Sequence, residues 1–305
     1  MNSIGDYLNN VFCKFKTYVE SNTAPKFCEF KTVNYDLNAF PNYNDTHIQE
    51  LYLLRYAFAY AFEYKSMYKK IFTESVSLLP ETIKILSIGC GNGIDYWSAA
   101  QAVDMVKPEI KIDYTGVDKC KWKYRPEKRE VDTFRIDNRN AIDYFRKCKE
   151  LDYHLIVFPK SISEFDDALL GELCAELKKI KITRPYLRLL FSIRENSNNM
   201  NEDLEKIDLI VDAFCNNSTI RLMPKNYHKT KCYFVGDKGI ISYDSCFRYP
   251  DDILLYLTNL HSCCPNFKKH GTSCNDCNVA KLDRRPILKA SHIRTKIVYL
   301  NLDLI

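Results

Sequence analysis

An open, mostly parallel α/β sheet with helices on both faces is the fold this sequence predicts, and three observations predict it. The first is Ile85-Leu86-Ser87-Ile88-Gly89-Cys90-Gly91-Asn92-Gly93-Ile94-Asp95, an apolar strand that breaks into a G-x-G-x-G turn and continues as a helix. Three of the nine glycines fall in that turn, which predicts close approach to the backbone, and main-chain N–H groups at a helix start suit a nucleotide-like ligand. The second is Asp113-Tyr114-Thr115-Gly116-Val117-Asp118, a short apolar strand ending in an acid. That acid lies about 25 residues past the last glycine, where doubly wound folds place a ribose-binding carboxylate. The third is the alternation that follows. Strands are predicted at 133–138, 155–158 and 186–191, and helical patterns separate most of them, the β–α rhythm of a parallel sheet.

A glycine turn of this kind also occurs for steric reasons alone, so the loop gains meaning only from its neighbours. The nicotinamide fingerprint asks for G-x-G-x-x-G, whereas here the third glycine follows the second by two residues. With Asp118 and the polar ends of the next strands, the block from about residue 80 to 215 resembles the class I S-adenosylmethionine-dependent methyltransferase family. The resemblance implies a Rossmann-like doubly wound sheet and S-adenosylmethionine as cofactor. It implies that Gly89, Gly91 and Gly93 form the loop beneath the methionine part, and that Asp118 holds the ribose hydroxyls. Asp137 would accept from the adenine amino group, with Asn138 at the adenine edge; Cys90 and Phe158 complete the expected cofactor set. One position departs from the family: Ser87 stands where an acid two residues before the first glycine is usual, and Asp95 is the expected partial replacement for holding the methionine ammonium.

The region before this block, residues 1–79, predicts a helical, aromatic-rich extension. Thr46-His47-Ile48-Gln49 has the capping-box pattern, and no glycine or proline interrupts Leu51 to Phe72, so one long helix is expected. Tyr52, Tyr56, Tyr60, Tyr64 and Tyr68 recur at every fourth position. Four residues turn an α-helix by about 400°, so this row drifts by about 40° per step and wraps around the axis. Two readings stand: a packing helix closing one side of the cofactor pocket, and a stacking wall for a base or aromatic substrate.

The chemistry of this fold gathers at the carboxyl ends of the strands, where the chain reads Phe158-Pro159-Lys160-Ser161-Ile162-Ser163-Glu164-Phe165. This is neither the Asn/Asp-Pro-Pro-aromatic signature of enzymes that methylate exocyclic base nitrogens nor the Pro-Cys signature of cytosine-C5 enzymes. The candidates for chemistry are Lys160, orienting an anionic or carbonyl acceptor, Ser161, and Glu164 as a base. Against them stands the reading that Ser161 or Ser163 caps the next helix with Glu164 in its first turn. His154, inside a strand among apolar neighbours, reads as a core residue.

The last third, residues 221–305, changes character. Between Arg221 and Lys296 fourteen bases face six acids, a local +8 in a chain of +5 overall. A basic segment of this kind attracts phosphate-rich partners, which makes RNA the expected partner, with a small molecule or a protein as the alternative. Within it, His261 to Cys277 holds four thiols and two imidazoles and ends in C-x-x-C. Cys264 or Cys263, His270 or His261, and Cys274 with Cys277 are the candidate ligands of a structural zinc, set against a redox-sensitive or merely cysteine-rich loop. A final strand is expected at 296–302. With 46% hydrophobic residues the 305-residue chain buries a full core. No apolar run reaches the roughly 18 residues of a membrane helix, and thirteen scattered cysteines suit a reducing compartment, so a cytoplasmic enzyme without membrane contact is expected. The reading is therefore a methyltransferase with a core at 80–220, acting on RNA; a small-molecule or protein methyltransferase, or a non-catalytic cofactor-binding sensor or scaffold, are its alternatives.

Overall fold

The computed structural model describes residues 3–22, 25–34, 41–194, 200–217, 222–224, 249–271, 279–288 and 295–304. Seven strands form one sheet: β1 (Thr82–Ile88), β2 (Lys111–Val117), β3 (Thr133–Asp137), β4 (Leu155–Pro159), β5 (Tyr186–Arg194), β6 (Leu222–Pro224) and β7 (Thr295–Leu304). Their spatial order is β3-β2-β1-β4-β5-β7-β6, with the first five parallel and β7 antiparallel to both its neighbours. The order reverses between β1 and β4, the point at which open α/β sheets leave a crevice beyond the strand ends. This is the expected Rossmann-like sheet. The segment after 220 is no appendage to it, because it supplies both β6 and β7.

Side chains alternate along each strand and both faces are buried, as a parallel sheet requires. Ile83 and Ile85 of β1 and Leu155 and Val157 of β4 join one core with Ile112 and Tyr114 of β2. Leu86, Ile88, Ile156 and Phe158 join the other with the helices α5 (Ala141–Lys147), α6 (Asp167–Leu177) and α7 (Met200–Cys215). Among the described residues, the first core also holds the helices that precede the sheet, chief among them α1 (Ile4–Ser21), α2 (Thr46–Tyr52) and α3 (Phe58–Glu74), packed with α4 (Ile94–Val106).

The predicted long N-terminal helix is present but not uniform. Its cap is Asp45, which accepts from the backbone N–H of His47 at 2.8 Å and Ile48 at 3.3 Å, so the Thr46 capping box is replaced by an acid one residue earlier. Between α2 and α3 the chain makes a π-helical turn, Leu53–Ala57. A π turn uses more residues than an α turn, so four residues advance less around the axis and the drift of the tyrosine row is partly cancelled. Tyr52, Tyr56, Tyr60 and Tyr64 accordingly keep ring-to-ring contact, with centroids 5.1, 5.8 and 6.0 Å apart. Arg55, 1% exposed, uses the same turn to donate to the carbonyl of Leu282.

Beneath α3 lies a buried carboxylate. Asp95, on the first turn of α4 and fully buried, accepts from Tyr114 Oη at 2.7 Å and Tyr68 Oη at 3.4 Å. Burial lifts its pKa to about 6 against those hydroxyl donors. The folded protein therefore retains a proton that the unfolded chain has lost between about pH 4 and 6, and stability falls as pH rises through that window, by at most about 1.4 kcal/mol per pH unit. Asp95→Asn is expected to abolish this slope and to equal or exceed the wild type in stability at pH 7.5. Urea unfolding of both proteins across pH 4 to 7.5 checks it, and a difference that does not change with pH contradicts it.

Candidate active site

A cavity of about 760 Å³ opens at the switch point, between the carboxyl ends of β1 and β4. Its floor is Gly89 and Gly91; its walls are Asp118 to Trp122 after β2, Pro159 to Phe165 after β4, and Ser192 to Arg194 at the end of β5. Tyr52, Tyr60 and Tyr64 line it from the N-terminal helices, and Pro41 to Asn44 cross its rim.

All three glycines of the turn have positive φ, at 67°, 56° and 83°, the region L side chains avoid. Their surroundings differ. A methyl group on Gly89 would stand 2.4 Å from Ser161 Cβ, and one on Gly93 would stand 2.9 Å from the ring of Phe134. At those two positions the close approach is made by the protein itself. Gly91 alone meets nothing nearer than Trp122 at 3.8 Å, so it is the glycine open to a ligand.

Asp118 ties this turn to β2. One carboxylate oxygen accepts from the Gly91 N–H at 2.8 Å and the other from the Cys120 N–H at 2.7 Å. Burial pushes its pKa above the usual carboxylate range, against the pull of those two N–H groups. Each oxygen of a carboxylate takes about two hydrogen bonds, so acceptor capacity is left on both. Trp122 covers the turn, in ring contact with Tyr43 at 5.2 Å and Tyr52 at 5.4 Å.

Across the cavity, Lys160 is the sole non-glycine with positive φ among the described residues, at 56°. Its side chain is 9% exposed and its Nζ lies 2.8 Å from Glu63 Oε1, a fully buried acid on α3 that also accepts from Ser192 Oγ. The ammonium sits 5.2 Å from the Tyr60 ring centroid. Burial lowers the pKa of Lys160, and Glu63 opposes that. Ser161 donates its hydroxyl to the Ile88 carbonyl at 2.6 Å, locking the end of β1 to the loop after β4. Glu164, in a 3₁₀ turn over Ile162–Glu164, lies 4.0 Å from Lys119 Nζ, and burial raises its pKa.

Of the residues expected at the site, Gly89, Gly91, Asp118, Lys160, Ser161 and Glu164 line the cavity, and the others stand elsewhere. Cys90 turns its thiol toward Gly116, Gly93 packs under Phe134, and Phe158 stacks on Phe191 at 4.9 Å in the core. Asp95 does not line the cavity; it is fully buried, held by Tyr114 and Tyr68 and in contact with the Ser87 hydroxyl, the position of the missing acid. Asp137 is in a bidentate pair with Arg139, and Asn138 braces the loop after β2 by donating to the Cys120 carbonyl at 2.9 Å; the rim there is Arg139 to Ile142. The helix after the 3₁₀ turn is capped by Asp166, not by Ser161 or Ser163. His154 is a core residue as read: its Nδ1 accepts from the Lys84 N–H, and burial lowers its pKa to about 4. Glu63, Trp122 and Asp203 are cavity or near-cavity residues that no sequence pattern marks.

Among the predicted zinc ligands, Cys274 and Cys277 lie outside the described residues. Cys264 precedes a short helix, Pro265–His270, of which His270 is the exposed end. Among the described residues no group of three or more His, Cys, Asp or Glu side chains is placed to hold a metal ion. His261 is engaged by Asp283 at 2.5 Å. No described helix is long and apolar enough to cross a membrane.

No family model matches the sequence, and no curated protein matches it. Solved structures do. The plantazolicin methyltransferase BpumL, in complex with SAH, is 13% identical over 96% of this chain and 98% of its own, with a TM-score of 0.36. A SAM-dependent methyltransferase from Archaeoglobus fulgidus is 12% identical over 78% and 94%, with a TM-score of 0.35. MnmC2 from Aquifex aeolicus is 14% identical over 53% and 56%, with a TM-score of 0.36, so this chain spans little more than half of that one. Likenesses of this size carry no residue role or substrate from one chain to another. The strand order, the glycine turn and the carboxylate after β2 define the class on their own: a Rossmann-like, doubly wound α/β chain with a ligand crevice at its switch point.

Two outcomes test the site as built. Gly89→Ala is expected to destabilise by several kcal/mol, because left-handed strain of about 1–2 kcal/mol adds to the collision with Ser161, whereas Gly91→Ala costs the strain alone; thermal unfolding of the two variants ranks them. Glu63→Gln leaves a buried ammonium without its counter-charge and is expected to cost about 3 kcal/mol, while Glu63→Gln combined with Lys160→Met restores much of it. Urea unfolding of single and double variants checks this, and equal losses contradict it.

Proposed function

We propose that this chain is an S-adenosylmethionine-dependent methyltransferase and that RNA is its acceptor. The observation that carries the enzymatic reading is Asp118, which joins the glycine turn to β2 with both oxygens and keeps acceptor capacity for a pair of ribose hydroxyls. The residues fit the cofactor on this ground and on a second: Gly91 faces the cavity with room above it. S-adenosylmethionine supplies an electrophilic methyl group on a sulfonium sulfur. Asp118 holds the ribose, and Trp122 with Tyr43 and Tyr52 closes the side of the turn against water. Lys160, fixed by Glu63, orients the acceptor, and Glu164 is placed to take a proton. Holding two reactants in line accounts for a large share of such a rate, so orientation is the main demand on these groups.

RNA is supported by the charge of the C-terminal segment. Lys268 and Lys269 on α9 (Pro265–His270), which follows α8 (Asp251–Thr258), are part of that basic run. A structural zinc on Cys264, His270, Cys274 and Cys277 belongs to the same reading and rests on the C-x-x-C spacing. A second reading, a small-molecule acceptor, is favoured by one observation: Tyr52, Tyr60 and Tyr64 and the crossing segment Pro41 to Asn44 line one side of a cavity of about 760 Å³, a size that suits a small molecule beside the cofactor.

Transfer of a radiolabelled methyl group to total RNA, protein extract and metabolite pools tests these readings. Label in RNA, reduced several-fold by Lys268→Glu with Lys269→Glu at unchanged S-adenosylhomocysteine affinity, is the expected result. Label confined to metabolites or protein overturns RNA in favour of the second class, and silence in all three pools overturns catalysis in favour of a binding protein. Truncation at residue 220 is the wrong test, since it removes β6 and β7 from the sheet.

A further inference from the structure

The loop that leaves β2 carries a charge pattern that the cavity itself does not use. It reads Lys119-Cys120-Lys121-Trp122-Lys123-Tyr124-Arg125, four cations and no acid. The aromatic residues are held inward: Trp122 is buried, and Tyr124 gives its hydroxyl to Glu50 at 2.6 Å. Lys119, Lys121 and Lys123 are exposed, and Arg125 is half-buried. Elsewhere on the rim Lys160 is paired with Glu63 and Arg139 with Asp137, and Lys119 lies 4.0 Å from Glu164. Lys121, Lys123 and Arg125 form no ion pair among the described residues, and Arg125 reaches only neutral oxygens, that of the Asn138 amide at 3.3 Å and the Trp122 carbonyl at 3.5 Å. The backbone beneath these cations is fixed. Asp118 accepts from the Cys120 N–H at 2.7 Å and Asn138 donates to the Cys120 carbonyl at 2.9 Å. Gln49, 2% exposed, donates to the Lys121 carbonyl at 3.0 Å and accepts from the Lys123 N–H at 2.9 Å.

Like charges held side by side on a pinned loop repel one another, and the same arrangement is pre-organised for a polyanion. We propose that Lys121, Lys123 and Arg125 hold the sugar-phosphate backbone of single-stranded RNA where it flanks the nucleotide that enters the cavity. The strip starts at the cavity, since Lys119 and Trp122 line it, and continues outside it through Lys121 and Lys123. On the same rim Tyr43 and Tyr52 are half-buried, both line the cavity, and both are in ring contact with Trp122. Cations that track phosphates beside aromatic faces that stack bases are the two parts of single-strand binding. An acidic polypeptide would meet the charges and leave those faces without a base. A base reaches an enclosed site only outside the stacked helix, which is why the strand is single. This deepens the RNA-acceptor reading and rests on it for the choice of partner, while the strip is separate from the basic C-terminal run that supports that reading.

Fluorescence anisotropy of a labelled oligouridylate of about 12 nucleotides, titrated with the full chain across about 50 to 200 mM salt, tests the strip. Lys121→Gln combined with Lys123→Gln removes two exposed charges and is expected to weaken binding about fivefold or more. The slope of log affinity against log salt is expected to shrink by about 1.4, because each phosphate contact to a single strand contributes about 0.7. Unfolding temperature is expected to stay at the wild-type value and S-adenosylhomocysteine affinity to stay within about twofold, since surface substitutions of this kind change stability little. Poly-glutamate of matched charge is expected to bind more weakly than the RNA. Equal affinity and equal slope in the variant overturn the strip and leave RNA binding to the C-terminal run. Poly-glutamate bound as tightly as RNA overturns it in favour of an acidic polypeptide partner, and no RNA binding by the wild type overturns it outright. Strip-dependent RNA binding with no methyl label in RNA keeps the strip and sinks the acceptor reading alone.

Discussion

The two hydrogen bonds that Asp118 accepts hold this site together. They join the end of β2 to the turn after β1 and fix Gly91 at φ 56° facing the cavity. The loop beyond β2 follows from the same carboxylate: with Cys120 anchored, Trp122 is carried over the turn and meets Tyr43 and Tyr52 from the N-terminal segment. On the other side of the switch point, Ser161 performs the corresponding task. Its hydroxyl on the Ile88 carbonyl brings the loop after β4 so near to β1 that Gly89 cannot carry a side chain. A crevice with both rims pinned in this way is organised before any ligand arrives, and pre-organisation lowers the cost of binding.

The helices before the sheet then become part of the site rather than an attachment to it. Glu63 enters from α3 to neutralise Lys160 at the end of β4, and Gln49 reaches from α2 to the Tyr43 and Lys121 carbonyls, bridging the crossing segment and the loop after β2. Tyr52, Tyr60 and Tyr64 line the cavity, and the single π turn between α2 and α3 offsets the α drift of about 40° for one four-residue step of that row.

What was legible in the sequence is what depends on neighbours in the chain. The strands, the glycine turn and the acid at 118 announce themselves through apolar runs and spacing, and a mostly parallel sheet follows from the β–α rhythm, whereas its strand order does not. What was not legible depends on partners brought in from a distance. Asp95, Asp137 and Gly93 all sit at positions where a cofactor contact is expected, yet their partners are Tyr68 with Tyr114, Arg139, and Phe134. Ser161 reads in the sequence as a candidate for chemistry or as a cap, and only the meeting of β1 with β4 shows that its hydroxyl donates to the Ile88 carbonyl. Glu63 lies in an aromatic helix whose pattern draws the eye to the tyrosines, and nothing local marks it as the counter-ion of Lys160.

The central claim is that the turn at Gly91 and the carboxylate of Asp118 form a cofactor site. Calorimetric titration of S-adenosylhomocysteine into the wild type and into Asp118→Asn tests it most directly, with circular dichroism to show that both are folded. The account predicts one site per chain in the micromolar range or tighter for the wild type, and a loss of about tenfold or more in the variant. Absence of binding to the folded wild type, or equal affinity in the folded variant, would contradict it.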